Sequence, residues 1–202
     1  MIQLLVATTN RGKQREFRDL LAGWPAQIVF PQEAGIDIDV AETGRSFAEI
    51  AAQKAITYAR AGQMLALADD SGLQVDALDG APGIYTARYA GPEASDRDRY
   101  QKLLAALKET PWERRTARFR AAIALAQPGG EVQIVEGICE GMIGWHPQGE
   151  NGFGYDPVFY LPEYGCTMAQ LGDAIKNQIS HRARAVQAAL ILLDELLAQH
   201  LN

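Results

Sequence analysis

The chain has 202 residues, 48% of them apolar and 22% charged, with a formal net charge of −6. That length suits one large domain or two small lobes, and the acidic balance argues against a protein that coats nucleic acid. Two cysteines, Cys139 and Cys166, give no disulfide framework, no apolar stretch reaches the roughly 18 residues of a membrane helix, and the short apolar N-terminus has no basic flank, so a cytoplasmic protein is expected.

Residues 2–7, IQLLVA, form a nearly continuous apolar run, as in a strand buried on both faces. The polar loop TTNRGK follows, and KQREFRDLLAG then sets Phe17, Leu20 and Leu21 on a helical stripe that Gly23 ends. Open N–H groups at such a helix start, with Arg11 and Lys13, suit a phosphate, although no Walker A sequence is present. Taken alone, the segment fits an ordinary capped turn equally well. Residues 27–30 read as a second strand. An acidic loop over 37–45, which contains Glu42, leads into the helix SFAEIAAQKAITYARAG. Ser46 is its expected cap, Glu49 completes a capping box, and Phe47, Ile50, Ala51, Ala55, Tyr58 and Ala59 form its apolar face.

The apolar residues 64–68 run into Asp69-Asp70-Ser71-Gly72, which reads as a strand end opening into a loop. Open α/β sheets bind ligands at strand ends. Neighbouring carboxylates repel, so the pair must be solvated, share a proton or hold a cation. A solvated turn and a site for a hard divalent metal both satisfy that requirement. A loop punctuated by Gly80, Pro82, Gly83 and Gly91 carries Tyr85, Arg88 and Tyr89, and Asp96 is the expected cap of a helix through Leu103, Leu104 and Leu107. Residues 116–126 and 131–143 read as strands joined by Pro128-Gly129-Gly130, in a mainly antiparallel part of the sheet. Residues 149–157 are too rich in glycine for either regular structure and allow close approach to a ligand. An apolar strand pattern resumes at 158–161. From His181 onward, Val186, Ala189, Leu190, Leu193, Leu196 and Leu197 recur at helical spacing behind the cap Ser180. Basic residues in a first turn oppose the helix dipole, so Lys176, His181, Arg182 and Arg184 together point to an anionic or acceptor-rich ligand.

Four separated segments, ATTNRGK (7–13), ADDSGL (68–73) with GAPGIYTARYAG (80–91), GFGYDP (152–157) and KNQISHRARA (176–185), resemble the inosine triphosphate pyrophosphatase family in the expected order. The family hydrolyses non-canonical purine nucleoside triphosphates (ITP, dITP, XTP) to monophosphate and pyrophosphate. The resemblance implies an α/β fold over residues 1–202: an elongated mixed β-sheet with flanking helices, forming two lobes of one domain around a central nucleotide cleft. It further implies Mg²⁺, with Mn²⁺ as the alternative, a homodimer, and a nucleotide as partner in place of nucleic acid or membrane. By position, Thr8, Thr9, Asn10, Arg11, Gly12 and Lys13 would hold the triphosphate. Asp70 would be the catalytic carboxylate, Glu42 and Asp70 would bind the metal, and Ser71 would touch the substrate. Lys54 would sit near the phosphates. Phe153 would stack on the base beside Gly154, Tyr155 and Asp156, and Lys176, His181 and Arg182 would close over base and sugar. Arg182 and His181 offer donors that suit the C6 oxygen of a 6-oxopurine. Two departures stand out: Ile50 where the helix motif has Asn, and Ile175 where an acidic residue precedes Lys176. A related Maf-like pyrophosphatase of other base preference and a non-hydrolysing nucleotide-binding module are the competing readings.

Overall fold

The computed structural model describes residues 3–200. Seven strands, β1 (Gln3–Val6), β2 (Gln27–Val29), β3 (Leu65–Val75), β4 (Thr116–Ala126), β5 (Val132–Ile143), β6 (Phe159–Leu161) and β7 (Cys166–Thr167), are hydrogen-bonded in the order β2-β1-β3-β4-β5-β6-β7. β1 runs parallel to β2 and β3, while β6 runs antiparallel to β5 and β7. The sheet is therefore mixed, with flanking helices, as the sequence leads one to expect. Two compact units divide the chain: one holds the described residues of Met1–Asp70, Ala121–Gly137 and Arg182–Asn202, the other Ser71–Arg120 and Ile138–His181.

In the first unit, Leu4 and Val6 of β1 and Leu67 of β3 share a core with Phe17 and Leu21 of α1 (Arg11–Leu20 and its cap) and with Val186, Ala189 and Leu193 of α5 (His181–His200). Leu5 points the other way, as alternation along a strand demands, and its Cδ2 would lie 3.1 Å from a Cβ added at Gly62 of α2 (Phe47–Gly62). α1 and α5 thus cover one face of β1 and α2 covers the opposite one. The buried face of α2 consists of the six residues its periodicity marks. Its N-cap is Ser46, whose Oγ accepts the Glu49 N–H, but Glu49 returns its carboxylate to the Arg45 N–H rather than to Ser46. The expected capping box is therefore displaced by one residue.

The second unit has its own core of Leu73, Leu103, Phe119, Tyr155, Phe159 and Met168, among others. Buried Arg115 ties it together, donating at 2.8 Å to the carbonyls of Leu107, Ile143 and Gly144. Helix α3 (Asp96–Ala106) is capped by Ser95 and not by Asp96: Ser95 Oγ and the Asp98 carboxylate form a reciprocal box. A hydroxyl one residue earlier closes the turn, so Asp96 becomes a first-turn residue. Helix α4 (Asp173–Ile179) has no counterpart in the sequence reading. Seven residues behind an uncapped Gly172 are too few to display a periodic stripe.

Candidate active site

The course of β3 corrects the reading of the acidic pair. The strand does not end before Asp69; it continues from Leu65 to Val75 through Asp69-Asp70-Ser71-Gly72. Mid-strand backbone finds its hydrogen bonds in the sheet, and successive side chains project to opposite faces. Asp69 therefore falls on the face of Leu67, towards α1 and α5, while Asp70 falls on the face of Ala68, towards α2. The strand sends the two carboxylates to different hydrogen-bonding partners, though Asp69 still raises and Lys13 still lowers the pKa of Asp70.

Asp69 is buried, with Oδ2 2.5 Å from Lys13 Nζ and 3.2 Å from Arg182 Nη2. Arg182 also holds Glu16 of α1 at 2.5 Å. The guanidinium is 2% exposed, and although burial opposes its charge, Asp69 and Glu16 more than offset this and raise its pKa. Arg182, expected over the base, joins two carboxylates on the α1 side of β3. Its neighbour in sequence, His181, belongs to the second unit, where its ring stacks on Phe119 at 4.8 Å between centroids.

Asp70 lies 3.5 Å from Lys54 Nζ, and the same ammonium donates to Glu42. Burial pushes the Asp70 carboxyl up from 3.8 to about 6, against the pull of Lys13 and Lys54. For Lys54, burial acts downward, but Asp70 and Glu42 outweigh it and the pKa rises. Glu42 is brought here by the close seating of its loop on α2. A Cβ at Gly44 would come within 2.8 Å of Ile50 Cγ1 and 2.9 Å of Glu49 Cβ, so only glycine lets the loop lie that near. Two carboxylates already converge on one cation. That arrangement fits a divalent ion of the Mg²⁺ kind, which takes one or two protein carboxylates and completes its shell with phosphate oxygens and waters. Among the described residues no group of three or more His, Cys, Asp or Glu side chains gathers into a full metal cage.

The loop before α1 is a capped helix start. Asn10 Oδ1 accepts the Lys13 N–H at 3.0 Å, and Thr8 Oγ1 accepts the Asn10 N–H at 3.2 Å. Thr8 is buried, whereas Thr9, Asn10 and Arg11 are exposed, and Gly12 is half-buried. Ser71 is half-buried within β3.

In the second unit, Lys176 Nζ lies 2.6 Å from Asp156 Oδ2, both side chains nearly inaccessible. The same oxygen accepts the Phe153 N–H at 3.0 Å, and the ammonium stands 5.0 Å from the Phe153 ring centroid. Gly152 permits this: a Cβ there would sit 2.0 Å from Asp156 Oδ2. Tyr155 does not stand beside Phe153 as a second stacking surface. It is core, its hydroxyl donating to the Thr86 carbonyl at 3.0 Å, and burial raises its pKa.

The Ham1 family pattern matches residues 4–191 of the chain. The dITP/XTP pyrophosphatase of Geobacillus kaustophilus is 50% identical over 195 residues, covering 96% of this chain and 94% of that protein. The enzyme of the same description from Bacillus subtilis is 44% identical over 194 residues, with 96% and 98% covered. The chain belongs to the Ham1 family. Among solved Ham1 structures, the Coxiella burnetii protein superposes with a TM-score of 0.88 at 40% identity, covering 96% of this chain and all of that one. A nucleoside-triphosphatase / dITP/XTP pyrophosphatase from Mycobacterium abscessus gives 0.75 at 40% identity, with 94% and 99% covered. Within this Ham1 chain, Glu16 is the site residue that sequence reasoning missed. Its signal was present: three residues beyond Lys13, it shares a face of α1 with it, opposite an arginine that needed a partner.

Proposed function

We propose that the chain hydrolyses non-canonical purine nucleoside triphosphates, dITP, XTP and ITP, to the monophosphate and pyrophosphate. The observation that carries this reading is the convergence of Asp70 and Glu42 on the Lys54 ammonium in a chain whose relatives are named dITP/XTP pyrophosphatases. Glu42 and Asp70 would hold Mg²⁺, which when bound supplies neutralisation of the triphosphate charge. Asp70 would orient a water towards the α-phosphorus and take its proton. The new P–O bond forms as the bond to the bridging oxygen breaks, and pyrophosphate leaves with the electron pair. Thr8 to Lys13 meet the phosphates with the α1 N–H groups, the Lys13 ammonium and Arg11. Arg182 acts through Asp69 and Glu16, fixing the ground on which Lys13 stands. In the second unit, Phe153 supplies the stacking surface for the purine, braced by Asp156 and Lys176.

The deciding experiment incubates the purified protein with a nucleotide panel and Mg²⁺ and resolves the products. Monophosphate and pyrophosphate from ITP, dITP or XTP are expected, with activity abolished by excess EDTA. Release of orthophosphate with a nucleoside diphosphate would remove the α-phosphorus mechanism, and full turnover in EDTA would remove the metal. A homodimer and a cytoplasmic location complete the proposal. Light scattering of the eluted protein tests the first.

A further inference from the structure

We propose that Asp96 is a positioning residue for base recognition, fixing from the first turn of α3 the loop that presents Phe153. Asp96 Oδ2 accepts the Gly154 N–H at 2.7 Å, a contact spanning 58 positions of the chain. Its other oxygen accepts from Arg99 Nη1 at 2.7 Å, which aims the carboxylate. The helix does not need Asp96 as its cap. Ser95 Oγ accepts the Asp98 N–H at 3.2 Å and Asp98 Oδ2 accepts the Ser95 N–H at 2.9 Å, so the turn is closed without it.

The loop needs such a hold. Gly152 and Gly154 sit at φ of 76° and 66°, in the left-handed region, and a glycine-rich segment loses much conformational entropy on being ordered. The Phe153 N–H is held by Asp156 and the next N–H, that of Gly154, by Asp96. Two consecutive amides are thereby pinned by carboxylates from different elements, and the ring they carry has little freedom to turn away. Hydrogen bonds to an ionised carboxylate are the stronger kind.

This inference rests on the reading of Phe153 as the stacking residue, and the experiment separates the two. Steady-state kinetics on ITP are combined with amide hydrogen exchange of the ligand-free protein. Asp96→Ala should raise KM about ten-fold while kcat stays within about two-fold, since loss of one charge-assisted hydrogen bond weakens binding without touching the reacting atoms. The same variant should speed exchange across residues 152–156. Asp96→Asn keeps an oxygen that can accept the Gly154 N–H and should recover most of both effects. In a Phe153→Ala background, Asp96→Ala should add little to KM. Unchanged exchange across 152–156 in Asp96→Ala, or an undiminished KM rise in the Phe153→Ala background, overturns the inference. A wild-type KM in Phe153→Ala alone overturns the stacking reading and the recognition role together, and the exchange data then decide whether Asp96 holds the loop.

Discussion

The two units use their carboxylates differently. In the first, acids and bases alternate around β3: Glu16, Arg182, Asp69 and Lys13 on one face, Glu42, Lys54 and Asp70 on the other. In the second, the carboxylates of Asp156 and Asp96, each also paired with one cation (Lys176 and Arg99), are turned on backbone N–H groups of a glycine loop. A chain of ion pairs keeps charged groups ready for a ligand that is itself charged, at the cost of desolvation that only complete pairing offsets. Carboxylates that bind amides instead fix a shape. The first arrangement suits phosphate chemistry and the second suits the recognition of a flat, neutral ring.

The largest expected effect tests whether the first unit depends on complete pairing. Arg182→Ala removes the guanidinium that Asp69 and Glu16 both contact. Breaking a buried pair in this way costs about 3–5 kcal/mol. Chemical denaturation should show a loss of that order, and Glu16→Gln in the same chain should recover part of it. A loss under about 1 kcal/mol would mean that the guanidinium is a bystander on the surface scale of ion pairs.

Asp70→Asn comes next. It should lower kcat by about 10²–10³ while the protein stays folded, the size of effect seen when one preorganised electrostatic group is removed. Wild-type turnover would move the catalytic role to Asp69 or Glu42.

The same substitution should show a pH-dependent stability difference of opposite sense. The Asp70 carboxyl titrates near 6 in the folded chain against 3.8 ordinarily, so between those values the folded state holds the extra proton. Stability is then fully present below about pH 4 and falls as pH rises through about 6. Asp70→Asn escapes that fall. In metal-free protein it should match wild type at pH 4 and exceed it by about 3 kcal/mol at pH 7, the free-energy equivalent of that interval. Equal stability at both pH values would contradict burial as the dominant influence on this carboxyl. Added Mg²⁺ should narrow the gap, because it favours the ionised side chain.

Much of this was legible in the sequence. The apolar face of α2 follows from periodicity, because burial on one side of a regular element leaves a regular trace, and the strand of residues 116–126 follows from an apolar run buried on both faces over its second half. The capped turn before α1 and the glycine loop were visible as turn chemistry. What escaped was three-dimensional pairing. Asp69-Asp70 read as one site because adjacency in sequence suggests adjacency in space, whereas a strand sends neighbours apart. The contact of Asp96 with Gly154 escaped because the two lie 58 positions apart, and Glu16 was overlooked although it shares a face of α1 with Lys13. The ion pairs of Arg182 with Asp69 and Glu16 were not legible because motif position says nothing about which acids a buried guanidinium meets.

The smallest expected effect distinguishes the units most sharply. Phe153→Ala removes the ring over which Lys176 Nζ stands at 5.0 Å. Base stacking on an aromatic ring is worth about 1–3 kcal/mol per base, so KM should rise about ten-fold for every purine nucleotide tested. A ring face does not distinguish an oxygen from an amino group at C6, so the ratio of kcat/KM for ITP over ATP should hold nearly constant. The Phe153 amide is a local hydrogen bond to Asp156 that alanine retains, and the loop should keep its exchange protection. Selection between 6-oxo and 6-amino purines must then lie with polar groups. Lys176→Met is the contrasting probe, since it removes the donor beside the ring, together with the pairing of Asp156, while the ring itself is retained. If Phe153→Ala collapsed the ITP-to-ATP ratio while Lys176→Met left it intact, shape in the second unit, and not its polar groups, would be what rejects adenine.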